Sequence, residues 1–249
     1  MRALNPIGEP FIELSEVGST NNYAMERVQA QMAEHGSTWF ANHQTAGKGQ
    51  RGKSWITAPG ENITMSIVLD CTGLPIHRQF DLHAVIAVAG RKFLEAYAGD
   101  DTRIKWPNDL YWKDRKAGGI LIENVVRGNH WKFAVVGIGI NVNQTQFKDG
   151  VLRPVSLRQI TGKSYKTVSL ARELCTVINK LWTTFRADGI REIFREYNTH
   201  LFKRGSIVKL KKDNTTFAAL IDGVDEFGNL VVDSGNQTFE FGSLQWIIE

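Results

Sequence analysis

The pattern of hydrophobic residues predicts helices in two long segments of the chain. Residues 168–186 place large apolar side chains on one helical face, and residues 79–97 form a stretch of similar length rich in alanine and valine. A third segment opens with Ser19-Thr20-Asn21, residue types that favour a helix N-cap, and continues with apolar residues at mixed helical spacing. These patterns predict three helices.

Short apolar runs between turn residues predict most of the other elements. Several lie between the first and last helices, and five more follow in the last quarter of the chain, separated by Gly, Asn and Asp. We therefore predict an α/β (α+β) fold with a mixed-sheet domain over residues 1–200 and a small antiparallel β-barrel over residues 201–249. The predicted strands cover residues 38–43, 62–70, 103–106, 109–112, 118–126, 131–142, 206–212, 217–224, 228–235, 237–242 and 244–249.

Composition narrows the class of protein. The chain has 249 residues, 42% of them apolar, which is enough to bury a core. It contains no apolar run of membrane-spanning length, and its first residues lack the apolar stretch of a signal peptide, so we expect a cytoplasmic protein without membrane contact. Cys71 and Cys175 lie far apart and the six histidines are scattered, so no transition-metal site is expected.

The positive charge is concentrated in two short segments. The net charge is +4, yet residues 199–249 hold more acids than bases. Residues 44–55 contain three cations and no acid, and residues 103–116 contain five cations against two acids. Two short basic segments suit a small polyanionic ligand better than a nucleic-acid duplex.

The first basic segment is QTAGKGQRGKSW, residues 44–55. Its letters 47–54 fit the Walker A pattern, but that motif joins a strand to a helix, and Pro59-Gly60 here blocks a helix. We therefore predict a strand–loop–strand segment whose glycines let backbone amides and cations approach an anion. A mobile surface turn is the alternative reading.

Two further segments carry candidate chemistry. In the stretch from Lys105 to Glu123, Lys116 precedes a glycine pair at the entrance to an apolar strand, where its ammonium can point into a cavity; a hairpin with solvated charges is the alternative. Gly137 and Gly139 alternate within a strand and leave room on one face for a flat or bulky partner; close packing of the sheet on a helix is the alternative.

In this order, the Ser-Thr-Asn element, the QTAGKGQRGKSW loop, KWPNDLYWKDRKAGGILIE and GIGINVN resemble the biotin protein ligases over nearly the whole chain. The resemblance implies a catalytic domain of the class II synthetase and biotin–lipoate ligase fold with an SH3-like C-terminal barrel. It implies that biotin and ATP, with Mg²⁺, form biotinyl-5′-AMP, and that biotin then passes to one lysine of a biotin carboxyl carrier protein.

The resemblance also implies roles for individual residues. The catalytic cations would be Lys116, Lys48 and Arg51, with Lys116 bridging the biotin carboxylate and the α-phosphate. Biotin would contact Ser19, Thr20, Asn21, Gln44, Lys48, Gly49, Gln50 and Lys116. The nucleotide would contact Arg51, Lys53, Trp55, Asn108, Asp109 and Asn141, and Mg²⁺ would be held mainly through the nucleotide.

Two departures from the family pattern modify these expectations. The family loop commonly reads Gly-Arg-Gly-Arg-Arg-Gly-Arg, whereas this chain has Lys48 and Gln50, so we expect earlier release of the adenylate. Only 18 residues precede the Ser-Thr-Asn element, too few for a helix-turn-helix domain, so no DNA binding is expected. A lipoate–protein ligase and a biotin-sensing protein that does not ligate are the alternatives, and a homodimer is possible.

Overall fold

The structure, a computed structural model, describes residues 4–147, 153–233 and 235–247. The larger unit begins with a strand and a helix and ends with three helices. Its elements are β1 (Phe11–Val17), α1 (Thr20–Gln29), β2 (Thr38–Gln44), β3 (Asn62–Asp70), α2 (Gln79–Ala98), β4 (Thr102–Lys105), β5 (Asp109–Trp112), β6 (Arg115–Arg127), β7 (His130–Asn141), α3 (Leu157–Thr161), α4 (Thr167–Arg186) and α5 (Ile190–Thr199).

These strands form one seven-stranded mixed sheet in the order β1-β2-β3-β7-β6-β5-β4. β1 and β2 are parallel, and every other neighbouring pair is antiparallel. The longest pairings join β3 to β7 and β7 to β6, so these three strands form the centre. The predicted mixed sheet is confirmed.

The two faces of the sheet are packed differently. The main core lies between the sheet and α2, α4 and α5, and it contains Ile67 of β3, Val136 of β7 and Leu174 of α4. A much smaller apolar cluster lies under α1, where Val68 and Val135 meet the helix. Side chains alternate between the faces of a strand, so the remaining α1-side positions of β3 and β7 are free for other uses.

The predicted helices at 79–97 and 168–186 are confirmed as α2 and α4, while β1, α3 and α5 were not predicted. β1 is an edge strand whose burial does not alternate, so it lacks the period of a strand in the sequence. In α5 only Ile193 and Tyr197 are buried, one turn apart, which is too short an apolar pattern to predict a helix.

The C-terminal strands are β8 (Ile207–Lys212), β9 (Thr215–Val224), β10 (Leu230–Val232), β11 (Gln237–Phe239) and β12 (Gln245–Ile247). They form a separate five-stranded antiparallel sheet in the order β11-β10-β9-β8-β12. Residues 234, 248 and 249, which fall in two of the predicted strands, lie outside the described residues.

The segment between the two sheets is attached to the larger one. Ile104 N–H donates to His200 O at 2.9 Å, and Phe202 N–H donates to Ile104 O at 2.8 Å, so residues 200–202 run beside β4. Farther on, Trp106 Nε1 donates to Gly228 O at 2.9 Å, and the Trp106 ring contacts Phe241 edge-on. A domain boundary at residue 200 stays a prediction. In the described residues, no helix is long and apolar enough to cross a membrane.

Candidate active site

The floor of the candidate site is the α1 face of the central strands. A Cβ atom on Gly139 would overlap the indole ring of Trp55, and one on Gly137 would overlap the carboxamide of Asn21. Glycine is therefore required at both positions for a steric reason, since it lets the side chains of Trp55 and Asn21 lie directly on the sheet. The flat neighbour that the alternating glycines predict is Trp55 itself.

The N-terminus of α1 forms one wall. The backbone N–H of Thr20 donates to Gln44 Oε1 at 2.8 Å, and Asn21 Nδ2 donates to Glu123 Oε2 at 2.8 Å. Ser66 Oγ lies 2.6 Å from Asn21 Oδ1 and 2.8 Å from Thr20 Oγ1. Because these buried polar groups are bonded to one another, their orientations are fixed.

The glycine-rich loop also lines this space, through Lys48, Gly49 and Gln50. Gly49 N–H donates to Lys53 O at 2.7 Å, and Trp55 N–H donates to Gly47 O at 2.8 Å, so the loop is a narrow turn between β2 and β3. Arg51, at its tip, has a left-handed φ of 54°. The predicted strand–loop–strand arrangement is present, and residues 53–61 lead to β3 without a helix.

Lys116 also lines this space. Its Nζ lies 2.5 Å from Asp109 Oδ1 and 5.7 Å from the centroid of the Trp55 ring. Both side chains of the ion pair are largely buried, at 25% and 18% exposure, so solvent screens the pair less than it would on the surface. The backbone beneath Lys116 is held by Arg153 O and by Asn141.

The α1 wall, the loop and the KWPND-containing segment enclose one cavity of about 470 Å³, its open mouth included. Lys48 and Lys116, 68 positions apart in the chain, both line it. The lining consists of Ser19, Thr20, Asn21, Gln44, Lys48, Gly49, Gln50, Trp55, Met65, Asn108, Asp109, Lys116, Gly119, Ile120, Leu121, Gly137, Ile138 and Gly139.

Three predicted site residues lie outside this cavity. Asn141 is buried, and its Nδ2 lies 3.2 Å from the carbonyl oxygens of Lys116 and Val155, so in this structure it supports the Lys116 strand. Arg51 extends toward Gly242 in the C-terminal part of the chain, where a Cβ atom would lie 2.7 Å from its guanidinium. Lys53 is exposed at the loop's end. Their contact with a nucleotide stays a prediction.

Sequence reasoning missed Ser66 and Glu123. A signal for Ser66 exists, since Asn62, Thr64 and Ser66 alternate with apolar residues in β3 and all three are buried. Buried polar residues at a strand's period indicate a polar patch on one face of a sheet. Glu123 has no comparable signal, because its partner Asn21 is 102 residues away.

The chain is similar to known proteins over most of its length. The profile of the Biotin/lipoate A/B protein ligase family matches residues 14–141. The bifunctional ligase/repressor BirA of Bacillus spizizenii is 29% identical over 231 residues, which are 92% of this chain and 70% of that protein. The biotin–[acetyl-CoA-carboxylase] ligase of Paracoccus denitrificans is 26% identical over 88% of this chain and 92% of its own length.

The solved structures include a biotin protein ligase from Aquifex aeolicus in complex with biotin and ATP. It is 25% identical, and the match covers 96% of this chain and 98% of that one with a TM-score of 0.80. The likeness therefore extends over both sheets, beyond the residues that the family profile matches.

Proposed function

This chain belongs to the biotin/lipoate A/B protein ligase family, and from that premise we propose that it activates biotin with ATP and transfers it to a protein lysine. The observation that carries the proposal is the convergence of Lys48 and Lys116 on one cavity that is also lined by the polar N-terminus of α1. A cationic side and a hydrogen-bonding side suit a ligand with a carboxylate at one end and a ureido group at the other.

In the first step, an oxygen of the biotin carboxylate attacks the α-phosphorus of ATP, and the bond to pyrophosphate breaks. Two anions meet in this step, so the ammonium groups of Lys116 and Lys48 would offset the charge that develops between them. Arg51 and Lys53 would face the departing phosphates. The cavity would also hold both reactants in one orientation, which supplies a further share of the rate.

In the second step, the amine of a lysine on a biotin carboxyl carrier protein attacks the acyl carbon. The bond to AMP breaks, the new amide loses a proton, and no covalent enzyme intermediate is required. Trp55 and the glycine floor would shield the mixed anhydride from water until the carrier arrives.

The nucleotide would lie beyond Lys116, near Asn108 and Asp109. Mg²⁺ prefers several oxygen ligands. Asp109 is the carboxylate in the cavity lining, and its oxygens already face Lys116 and Lys105. These residues fit a Mg²⁺ ion that arrives bound to the phosphates of ATP better than one held by the protein alone. When bound, the ion would neutralise phosphate charge.

Two parts of the proposal rest on the relatives. The Paracoccus protein is named for a carboxylase acceptor, which supports a carrier domain as the partner. The Aquifex structure contains biotin and ATP, which supports biotin over lipoate. A cytoplasmic location would follow from these partners, and a homodimer stays a prediction.

The test combines purified protein, ATP, Mg²⁺ and an apo biotin carboxyl carrier domain with either biotin or lipoate, and the carrier is then weighed by mass spectrometry. We expect the mass of one biotinyl group on one lysine, and no gain with lipoate. Lipoate transfer would make the chain a lipoate ligase. Biotin binding without any transfer would make it a sensor.

A further inference from the structure

Lys105 occupies an aromatic cage that the two sheets build together. It is the last residue of β4, and its side chain is 12% exposed. Its Nζ lies 5.4 Å from the ring centroid of Tyr111, on β5, and 5.4 Å from that of Trp246, on β12 of the C-terminal sheet. An ammonium close to two aromatic faces is attracted by both rings, and more strongly where water is excluded.

The cage is itself held in place by a third ring. Phe202 lies 5.0 Å from Tyr111 and 6.0 Å from Trp246, measured between ring centroids. Phe202 belongs to the segment that hydrogen-bonds to β4, so the cage is anchored on both sides. We refer to Tyr111 and Trp246 as the Lys105 cage.

The caged ammonium lies beside the carboxylate that pairs with Lys116. Asp109 Oδ1 is 2.5 Å from Lys116 Nζ, and Asp109 Oδ2 is 3.9 Å from Lys105 Nζ. One carboxylate therefore balances two ammonium groups, one at each oxygen. Burial lowers the pKa of Lys105, and the Asp109 carboxylate opposes that shift.

Lys105 does not belong to the cavity lining, whereas Asp109 and Lys116 do. Asp109 is the residue that connects it to the cavity, because the carboxylate faces both Lys105 and Lys116. With Lys105 present, one oxygen of the carboxylate is hydrogen-bonded to Lys116 and the other is attracted by Lys105, so its charge is shared. Without Lys105, Asp109 would be free to rotate and would attract Lys116 alone, which would draw that ammonium away from the ligand.

We propose that Lys105 is a positioning residue for Lys116, acting through Asp109, and that Trp246 of the C-terminal sheet keeps Lys105 in place. The inference rests on the proposed function. It gives the C-terminal sheet a definite part in biotin activation, because the sheet supplies one face of the cage.

The test measures biotin-dependent exchange of labelled pyrophosphate into ATP, which reports the first step without a carrier. Lys105→Met keeps the length of the side chain and removes its charge. We expect kcat to fall by about tenfold, with the KM for biotin changed by less than about twofold, because the lost group acts on the barrier to reaction. Lys105→Arg, which keeps the charge, should retain most of the rate.

The role of the cage is tested by a double-mutant cycle. Trp246→Leu should lower kcat by about three- to fivefold, and the double variant with Lys105→Met should be no slower than Lys105→Met alone. The matched control is Lys113→Met, because Lys113 also lies over a tryptophan, with its Nζ 4.7 Å from the Trp112 centroid, and also faces a carboxylate, Asp101, at 3.7 Å. It should exchange pyrophosphate like the wild type.

Two results would overturn the inference: a normal kcat in Lys105→Met, or independent, multiplying effects of the Lys105 and Trp246 substitutions. If Lys105→Met fails to fold, as thermal denaturation would show, Lys105→Arg and Trp246→Leu decide the question by the same kcat comparison. A wild-type protein that catalyses no biotin-dependent exchange would instead refute the proposed function, so the two failures are distinguishable.

Discussion

Replacement of Lys116 by alanine is the most direct test of the site's electrostatics. Lys116 lines the cavity, and its ammonium is held 2.5 Å from Asp109. Removing one group that stabilises a developing charge usually slows a reaction by about 10²–10³-fold, or about 2.7–4 kcal/mol. We expect at least that loss in biotin-dependent pyrophosphate exchange, with biotin binding weakened less.

The structure predicts an additional penalty in Lys116→Ala. The substitution leaves Asp109 facing the cavity without its nearest cation, and a carboxylate there repels the incoming phosphates. At an effective dielectric constant of about 20, two unit charges about 4 Å apart interact by up to about 4 kcal/mol. Screening by Lys105 and solvent reduces this figure. Asp109→Asn, added to Lys116→Ala, should therefore restore about tenfold of the lost rate.

The control for these variants is Lys92→Ala, which removes a different ion-paired lysine. Lys92 Nζ lies 2.7 Å from Glu196 Oε1, and Lys92 is absent from the cavity lining. Its exchange rate should equal that of the wild type. A near-normal rate in Lys116→Ala would remove Lys116 from its catalytic role, and a double variant slower than Lys116→Ala would refute the repulsion by Asp109.

Three other outcomes are expected. Gln50→Arg adds a cation to the cavity lining and should slow the escape of biotinyl-AMP by about fivefold in a rapid-dilution assay. Unchanged or faster release would contradict the idea that the missing charge at position 50 speeds the escape of the adenylate. Gly139→Ala should push the Trp55 ring off the sheet and weaken biotin binding, measured by calorimetry, by about tenfold or more. Wild-type affinity in this variant would show that the Trp55 ring need not lie against residue 139. Burial lowers the pKa of His83 from an ordinary 6.5 to about 4, so the unfolded chain takes up a proton on His83 at a higher pH than the folded chain does. The free energy of unfolding should therefore fall as the pH drops from 6.5 to 4. In chemical denaturation, His83→Phe should reduce this loss of stability, whereas His130→Phe, at an exposed position, should not.

Local patterns were sufficient for the parts of the fold that have a clear period. α4 extends over Thr167–Arg186 because its apolar residues recur every three or four positions, and β3 covers the predicted residues 62–70. The loop and the Lys116 segment were also recognisable, because glycines and cations are conspicuous in short windows. The prediction that they meet in one cavity came from the resemblance to a family, because no local sequence pattern indicates that two distant segments are in contact.

Contacts between residues far apart in the chain could not be predicted from the sequence. Glu123 is fixed to Asn21 across 102 positions, and Trp246 lies over Lys105 from a strand near the end of the chain. Taken alone, Glu123, Lys105 and Trp246 are ordinary strand residues. Only the register of the sheets and the docking of the C-terminal part bring them to the site.

The α1 face of the sheet shows why the site lies where it does. On the opposite face, β3 and β7 contribute large apolar side chains to the main core. On the α1 face they contribute Thr64, Ser66, Gly137 and Gly139, which bury little apolar surface at the centre of the sheet. Buried polar groups and missing side chains both cost stability unless they are compensated. Here Asn21 and Trp55 fill the space above the glycines and Ser66 completes the polar wall, so the part of the sheet that contributes least to the core is the part that can receive a ligand.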